Sequence, residues 1–199
     1  MKLSILIPTT TKRCGRFFTS MVENINDQII KNDRNDIEVL GLLDNYKKTI
    51  GEKRNILLNM ASGQFVVFLD DDDRITDDFL FEVLYAIDNN NNADCIVYDM
   101  MCIINGTREI LSKFGIEFEY TKGIKFDIIK QSPITPELWY GKPSHNMVWA
   151  SRIAKSCIFP NCNTGEDFAW VKQAWPRIKK QVRIDKTLYY YDAVLGKQY

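Results

Sequence analysis

The sequence predicts an α/β protein with a central, mostly parallel sheet flanked by helices. Three observations carry that prediction. Short apolar runs alternate with amphipathic stretches across the first hundred residues, which is the pattern of strand–helix–strand crossovers. The first three runs lead directly into Thr or Asp, as they would where strands reach a sheet rim. The chain has 199 residues, 45% of them hydrophobic, enough for a sizeable core.

The elements follow in order. KLSILI (2–7) reads as a buried first strand, ended by Pro8. Residues 15–31 put Phe17, Phe18, Met21, Val22, Ile25, Ile29 and Ile30 at the spacing of one helix face. IEVLGLL (37–43) is a second strand ending at Asp44. Ile56, Leu57, Met60 and Ala61 mark a helix over 51–61, closed by Ser62-Gly63. FVVFL (65–69) is the third strand. Thr76 then caps a helix with Asp77 and Asp78 in its first turn, where acids complement the helix dipole. DCIVYDM (94–100) is the fourth strand.

The second half is less regular. An antiparallel hairpin is expected over 101–122, turning at Asn105-Gly106. Residues 123–150, rich in Trp, Tyr, Pro and Gly, read as ordered loops. A helix is expected over 166–175, stopped by Pro176, and QVRI (181–184) and TLYYY (187–191) as closing strands. No repeat or linker divides the chain, so 1–199 reads as one domain. Its first half, to about residue 100, supplies the ligand-binding rim. The remainder shapes the pocket of a second ligand.

Bulk properties narrow the function. Lys+Arg and Asp+Glu are equal at 26 each, which argues against a broad nucleic-acid or anionic-membrane footprint. No stretch approaches the ~18 apolar residues of a membrane span, and the apolar run of MKLSILIPTT is too short for a secretory leader. Cys14, Cys95, Cys102, Cys157 and Cys162 are odd in number and lack a CxxC pair, so they read as free thiols of a reducing compartment, and a zinc site is not expected. The expected location is cytoplasmic, with any membrane-borne acceptor reached peripherally.

The chemistry concentrates in FVVFLDDDD (65–73). Adjacent carboxylates raise one another's pKa unless a cation or strong donors offset them. If strand geometry persists at the tip, Asp70 and Asp72 face one side and Asp71 the other. Such an i, i+2 pair suits a hard divalent cation that shares its oxygen ligands with phosphate. Asp73, Asp77 and Asp78 read instead as a solvated acidic turn favouring the helix that follows. Pro8-Thr9-Thr10 and Asp44 end the neighbouring strands, so three polar elements converge on one rim.

LSILIPTTT, GEKRNILLNMASGQFVVFLDDDD and GEDFAW together resemble the motifs of family-2-type glycosyltransferases with the GT-A fold. The resemblance is dense over residues 2–80 and returns at 140–175. It implies a Rossmann-like nucleotide-diphospho-sugar transferase fold, a nucleotide-diphosphate sugar donor, UDP by family habit, and Mn²⁺ or Mg²⁺. Carried over by position, Pro8, Thr9 and Thr10 would border the base, and Asp44 would accept a hydrogen bond from base or ribose. Arg54 would lie near the base or pyrophosphate. Asp70 would face the ribose or the metal's water shell, Asp71 would belong to the same donor-binding set, and Asp72 would ligate the metal. The family often has an aromatic where Thr10 stands and Asn where Thr11 stands, and Asn45-Tyr46 departs from its usual run after Asp44.

In TGEDFAW (164–170), Thr164 and Asp167 also match a capping box. The resemblance makes Asp167 the catalytic base, with Glu166 orienting it or binding acceptor; the reverse assignment stays open. His145, the one histidine, reads either as a packing residue or as a metal ligand or donor contact. Trp139, Tyr140, Trp149 and Trp170 read as core, or as faces on which a sugar stacks. The implied reaction is an inverting single displacement onto a hydroxyl of a glycan, lipid-linked sugar, protein or modified nucleobase. Two rivals remain: a haloacid-dehalogenase-type phosphohydrolase, which FLDDDDRIT loosely resembles, and a nucleotide-sugar-binding protein without turnover.

Overall fold

The structure is a computed structural model that describes residues 1–119 and 137–193. Among these residues nine strands form one sheet. Its first three strands, β1 (Leu3–Thr10), β2 (Ile37–Asp44) and β3 (Phe65–Phe68), run parallel in the order β2-β1-β3, as expected of strands joined through helices. β1 is buried along almost its whole length, because helices cover the sheet's faces.

β1 does not stop at Pro8. The Leu69 N–H donates to the Leu6 carbonyl, so the even residues of β1 turn their main chain toward β3. Pro8 lies beyond the last β1–β3 pair, Leu6 with Phe68, where the missing N–H breaks no ladder bond. The strand therefore carries on to Thr10, level with Asp44 of β2.

The fourth strand does not pair with β3. β8 (Val148–Ala150) inserts between β3 and β5 (Cys95–Ile104) and is antiparallel to both. β5 thus keeps the direction of β3. It continues into the expected hairpin with β6 (Arg108–Phe114), turning at Asn105 and Gly106, both at positive φ. β7 (Glu137–Gly141) adds beyond β6. The two closing runs form a single strand, β9 (Gln181–Ala193), with irregular register around Asp99 of β5. β9 also pairs with the short β4 (Arg74–Ile75). Of the ordered loops expected over 123–150, residues 123–136 lie outside the described residues.

The helix expected over 15–31 begins earlier and is interrupted. A turn, α1 (Thr11–Arg13), passes through a π-type segment (Cys14–Phe18) into α2 (Thr19–Lys31). Met21 and Ile25 enter the core, while Ile30 and Phe17 are exposed. Gln28 is buried on the same face and carries a specific task. Its Oε1 accepts from the Leu80 N–H at 2.9 Å and its Nε2 donates to the Thr76 carbonyl at 2.9 Å. Gln28 thus satisfies the start of α4 (Phe79–Asn89), a task the sequence reading gave to Thr76. Thr76 instead donates to Asp78, and the helix begins after Asp78, so Asp77 and Asp78 precede its first turn.

α3 (Ile50–Met60) opens on a capping box between Thr49 and Glu52. The loop after α5 (Ser151–Ala154) docks on it. Asn55 bonds both the carbonyl and the N–H of Phe159, and Thr49 donates to Asn161 at 2.6 Å. Gly51 permits that approach: a Cβ there would stand 1.9 Å from the Pro160 carbonyl oxygen. The docked loop leads into α6 (Glu166–Ala174), whose helical course gives way to a short 3-10 turn containing Pro176.

Candidate active site

The rim at the carboxyl ends of β1, β2 and β3 carries most of the expected residues. Lys53 of α3 ties two of its tips together, donating to the Thr9 carbonyl and to Asp44 Oδ1, each at 2.9 Å. The other Asp44 oxygen accepts from the N–H groups of Lys47 and Lys48. Burial works against the Asp44 charge, but Lys53 and those donors outweigh it and hold the carboxyl below its usual range. Asp44 is therefore a built part of the rim. Beside it, Tyr46 adopts positive φ, exposes its ring, and stands 3.3 Å from the Thr10 hydroxyl. The sequence singles out neither Lys53 nor Tyr46 as a site residue, although Lys53 lies inside a motif segment and Tyr46 is two residues beyond Asp44.

The four aspartates have four different environments. The strand ends at Phe68 and the chain turns, with the Asp73 N–H bonded to the Asp70 carbonyl. Strand alternation is lost there, so the expected pairing of Asp70 with Asp72 on one side does not occur. Asp70 accepts from Arg54 Nη2 at 2.9 Å. Asp71 accepts from the Thr9 hydroxyl at 2.5 Å and faces Arg13 at 2.5 Å. Asp72 shares that same Arg13 Nη2, with 27% of its side chain exposed. Asp73 is not the solvated acid expected. It is buried, and accepts from the Tyr189 hydroxyl at 2.7 Å and the Asp192 N–H at 3.3 Å. Burial, and then the Asp70 charge, push its carboxyl well above the usual range. A cavity of about 640 Å³ opens beside Asp71–Asp73, between α2 and β4, with Arg16, Phe17 and Tyr190 among its walls.

Arg54 links this run to the second motif. It is buried in α3 at 4% exposure and bonds Asp70 with one nitrogen and Glu166 with another. Its guanidinium sits 5.7 Å above the Phe159 ring. Phe159 stacks on Trp170 with centroids 4.9 Å apart, and Phe68 and Trp149 pack edge-on to the pair. This aromatic block, worth about 0.5–1.5 kcal/mol per ring pair beyond burial, is the floor under Arg54. Trp149 and Trp170 are thus core, while Trp139 is half-buried and Tyr140 exposed. The Asp70 side chain keeps 25% of its surface exposed. Burial of its carboxyl works against the charge, but the Arg54 guanidinium outweighs it and draws the pKa far down.

Glu166 and Asp167 begin α6 behind Gly165, which takes the left-handed conformation and is itself the N-cap. Thr164 therefore forms no capping box, because the helix starts too late for it. Glu166 is buried against Arg54, whereas 43% of the Asp167 side chain is exposed. His145 lies between the motifs. Its Nε2 is 3.0 Å from Arg54 Nη2 and 3.5 Å from Asp70, and its Nδ1 is 3.7 Å from Asp167 Oδ2. A guanidinium only donates, so in the neutral ring Nε2 accepts and the hydrogen sits on Nδ1, facing Asp167. Among the described residues no three or more His, Cys, Asp or Glu side chains gather in the manner of a metal site. A second cavity, of about 150 Å³, reaches His145 and Asp167 from the β7 side.

Comparison with known proteins agrees with this fold. The fold is similar to that of S. aureus TarS 1–349 in complex with UDP-GlcNAc, at TM-score 0.64 and 19% identity over 99% of this chain. It is also similar to M. tuberculosis glucosyl-3-phosphoglycerate synthase in complex with Mn²⁺, UDP and phosphoglyceric acid, at TM-score 0.53 and 12% identity, covering 93% of this chain and 69% of that one. The chain spans 60% of the length of the TarS 1–349 structures and 37% of a longer TarS chain. No curated protein matches it in sequence. No helix among the described residues is long and apolar enough to cross a membrane. The family model for glycosyl transferase family 2 matches residues 23–139, more than half of the sequence. The chain belongs to glycosyl transferase family 2.

Proposed function

We propose that this protein transfers a sugar from a nucleotide-diphosphate sugar, UDP-linked, to an acceptor hydroxyl with inversion. One observation carries the reading: Arg54 bonds both Asp70 and Glu166, which brings the aspartate rim and the Glu-Asp motif together from 96 positions apart in sequence. The donor's base and ribose lie along Thr9, Thr10 and Asp44, with Pro8 shaping the strand tip and the Tyr46 ring offering a flat wall. Asp70 faces the donor from the aspartate run, and the buried Asp71 supports the donor site through its bond with Thr9. Arg54 holds Asp70 ionised and adds positive potential at the diphosphate.

Asp167 is the base and Glu166 positions it. Glu166 is committed to Arg54, whereas Asp167 is open to a cavity that can admit an acceptor. The acceptor hydroxyl is a poor nucleophile until its proton is taken, and a positioned carboxylate accelerates that step by about 10²–10⁴. His145 Nδ1, 3.7 Å away, is a polar neighbour of the Asp167 carboxylate. One base suffices for a single displacement through an oxocarbenium-like state.

The chemistry of the donor set fits Mn²⁺ or Mg²⁺. Asp72 offers hard oxygens, and phosphates and water complete such shells. That Asp71 and Asp72 already share the Arg13 guanidinium supports a place for positive charge there. Asp72 would hold the ion, with Asp70 nearby; His145, turned toward Arg54 and Asp167, is not needed for it. Bound there, the ion would stabilise charge on the departing diphosphate as a Lewis acid.

Calorimetric titration of UDP, GDP, ADP and CMP, each with and without Mn²⁺, tests the reading. UDP binding that depends on metal is expected. No binding of any of the four would overturn the donor site.

A further inference from the structure

The smaller cavity is built unlike the donor rim. Phe114 of β6 and Trp139 of β7 pack edge to face at 5.5 Å on one side. Phe168 of α6 and Trp175 do the same at 5.9 Å on the other. The Trp175 indole donates to the Pro143 carbonyl at 2.7 Å, which fixes its ring across the gap. Polar residues also line this aromatic cleft. Asp167 is one. Ser144 is another, with its hydroxyl buried and without a hydrogen-bond partner among the described residues. Lys142 brings its ammonium to 5.8 Å from the Trp175 ring, and no carboxylate among the described residues pairs with it.

We propose that this cleft is the acceptor subsite and that it takes the terminal pyranose of a glycan, carrying an anionic substituent. This rests on the assignment of Asp167 as base. A sugar ring has an apolar C–H face that suits the aromatic walls and hydroxyl edges that suit Ser144 and Asp167. The volume of about 150 Å³, roughly five waters, holds one ring and not two, so the acceptor enters by its end. The negative group belongs at Lys142, the lysine of the lining, since the other charged side chain there, Asp167, carries a like charge. A nucleobase or aromatic side chain would fill the walls but would leave Ser144 and Lys142 unused.

The test uses methyl β-glucuronide and glucose 6-phosphate as anionic probes and methyl β-glucoside as the neutral one. Each is titrated into the full chain with UDP and Mn²⁺ present, followed by saturation-transfer NMR and tryptophan fluorescence. At least one anionic probe is expected to bind about fivefold or more tightly than the neutral glucoside. Lys142→Ala is expected to remove that preference and Lys142→Glu to reverse it, with UDP affinity unchanged in both. Equal binding of charged and neutral probes, no binding of any, or indifference to both Lys142 variants overturns the proposal. UDP titrated on the same samples separates the failures. If UDP binds and the sugars fail, the acceptor inference alone is wrong; if UDP does not bind, the donor reading falls and takes this one with it.

Discussion

Arg54 and Arg13 both hold carboxylates of the same four-residue run, yet they do so in opposite settings. The Arg54 side chain is 5% exposed, lies over an aromatic ring, and is fixed by Asp70, Glu166 and His145. The Arg13 side chain is 26% exposed, extends from a π-interrupted helix start, and reaches from the surface across the partly exposed Asp72 to the buried Asp71. Identical chemistry therefore plays two parts. On the Asp70 side it is a framework that fixes Asp70, Glu166 and His145, beside the proposed base. On the Asp72 side it is a contact that solvent or a competing cation can exchange.

The comparison is broken most directly at Arg54. Arg54→Met is expected to cost about 3–5 kcal/mol in chemical denaturation, because it leaves the buried Glu166 and the partly exposed Asp70 without their cation. A loss below ~1 kcal/mol would mean that Arg54 is no more structural than Arg13. The acid limb sharpens the same point. Arg54 depresses the Asp70 pKa, so its contribution to stability is present above the unfolded carboxyl value of about 4 and is lost as pH falls toward the folded one. Asp36 is likewise held low, by Arg34, and Asp44 by Lys53, so wild-type stability should fall on acidification below that value. In Arg54→Met the fall should be shallower.

Asp167→Asn probes what the framework is for. Transfer is expected to drop by about 10²–10⁴ while UDP affinity and stability stay near wild type. Full retention of transfer would hand the base role to Glu166, despite its bond to Arg54. Gly51→Ala tests how the framework is assembled. The new methyl meets the Pro160 carbonyl, so the docked loop must move and carry Glu166 away from Arg54. Overpacking of this kind costs about 1–3 kcal/mol, and a crystal structure would show the Arg54–Glu166 contact lengthened.

How far the sequence discloses this site follows from the range of the interactions. The first half is legible because local patterns dominate it. FVVFL enters the core as a strand, Asn105-Gly106 turns a hairpin, and the motif residues fall at strand tips by topology alone. The insertion of β8 between β3 and β5 is not legible, since three residues of strand carry almost no periodic signal. Nor is the burial of Asp73, which depends on Tyr189 from the far end of the chain. Lys53 and Gln28 escape for the same reason: each is a polar residue on a helix face, and only tertiary structure supplies the partner that makes it buried. The aromatic cleft is hidden longest, because a tryptophan that lines a cavity and one that fills the core have the same sequence signature. Trp139 and Trp170 differ only in what packs against them.

The smallest effect is expected at Arg13, and it bears most on the contrast between the two sides. Arg13→Ala removes one guanidinium from two carboxylates, yet Asp71 keeps the Thr9 hydroxyl and Asp72 keeps its contact with water. The contact with the partly exposed Asp72 is worth about 0–1 kcal/mol, and the buried Asp71 retains a donor, so the loss of stability should stay under ~2 kcal/mol. The informative readout is Mn²⁺ titrated without nucleotide. If the Arg13 contact is exchangeable, the variant should bind Mn²⁺ at least as tightly as wild type, since a competing cation has gone. If the variant instead loses more than ~2 kcal/mol of stability, or binds Mn²⁺ more weakly, then Arg13 shapes the aspartate turn as firmly as Arg54 does from behind. The two sides of the run would then be one framework, and the divalent ion would have to enter an already rigid site.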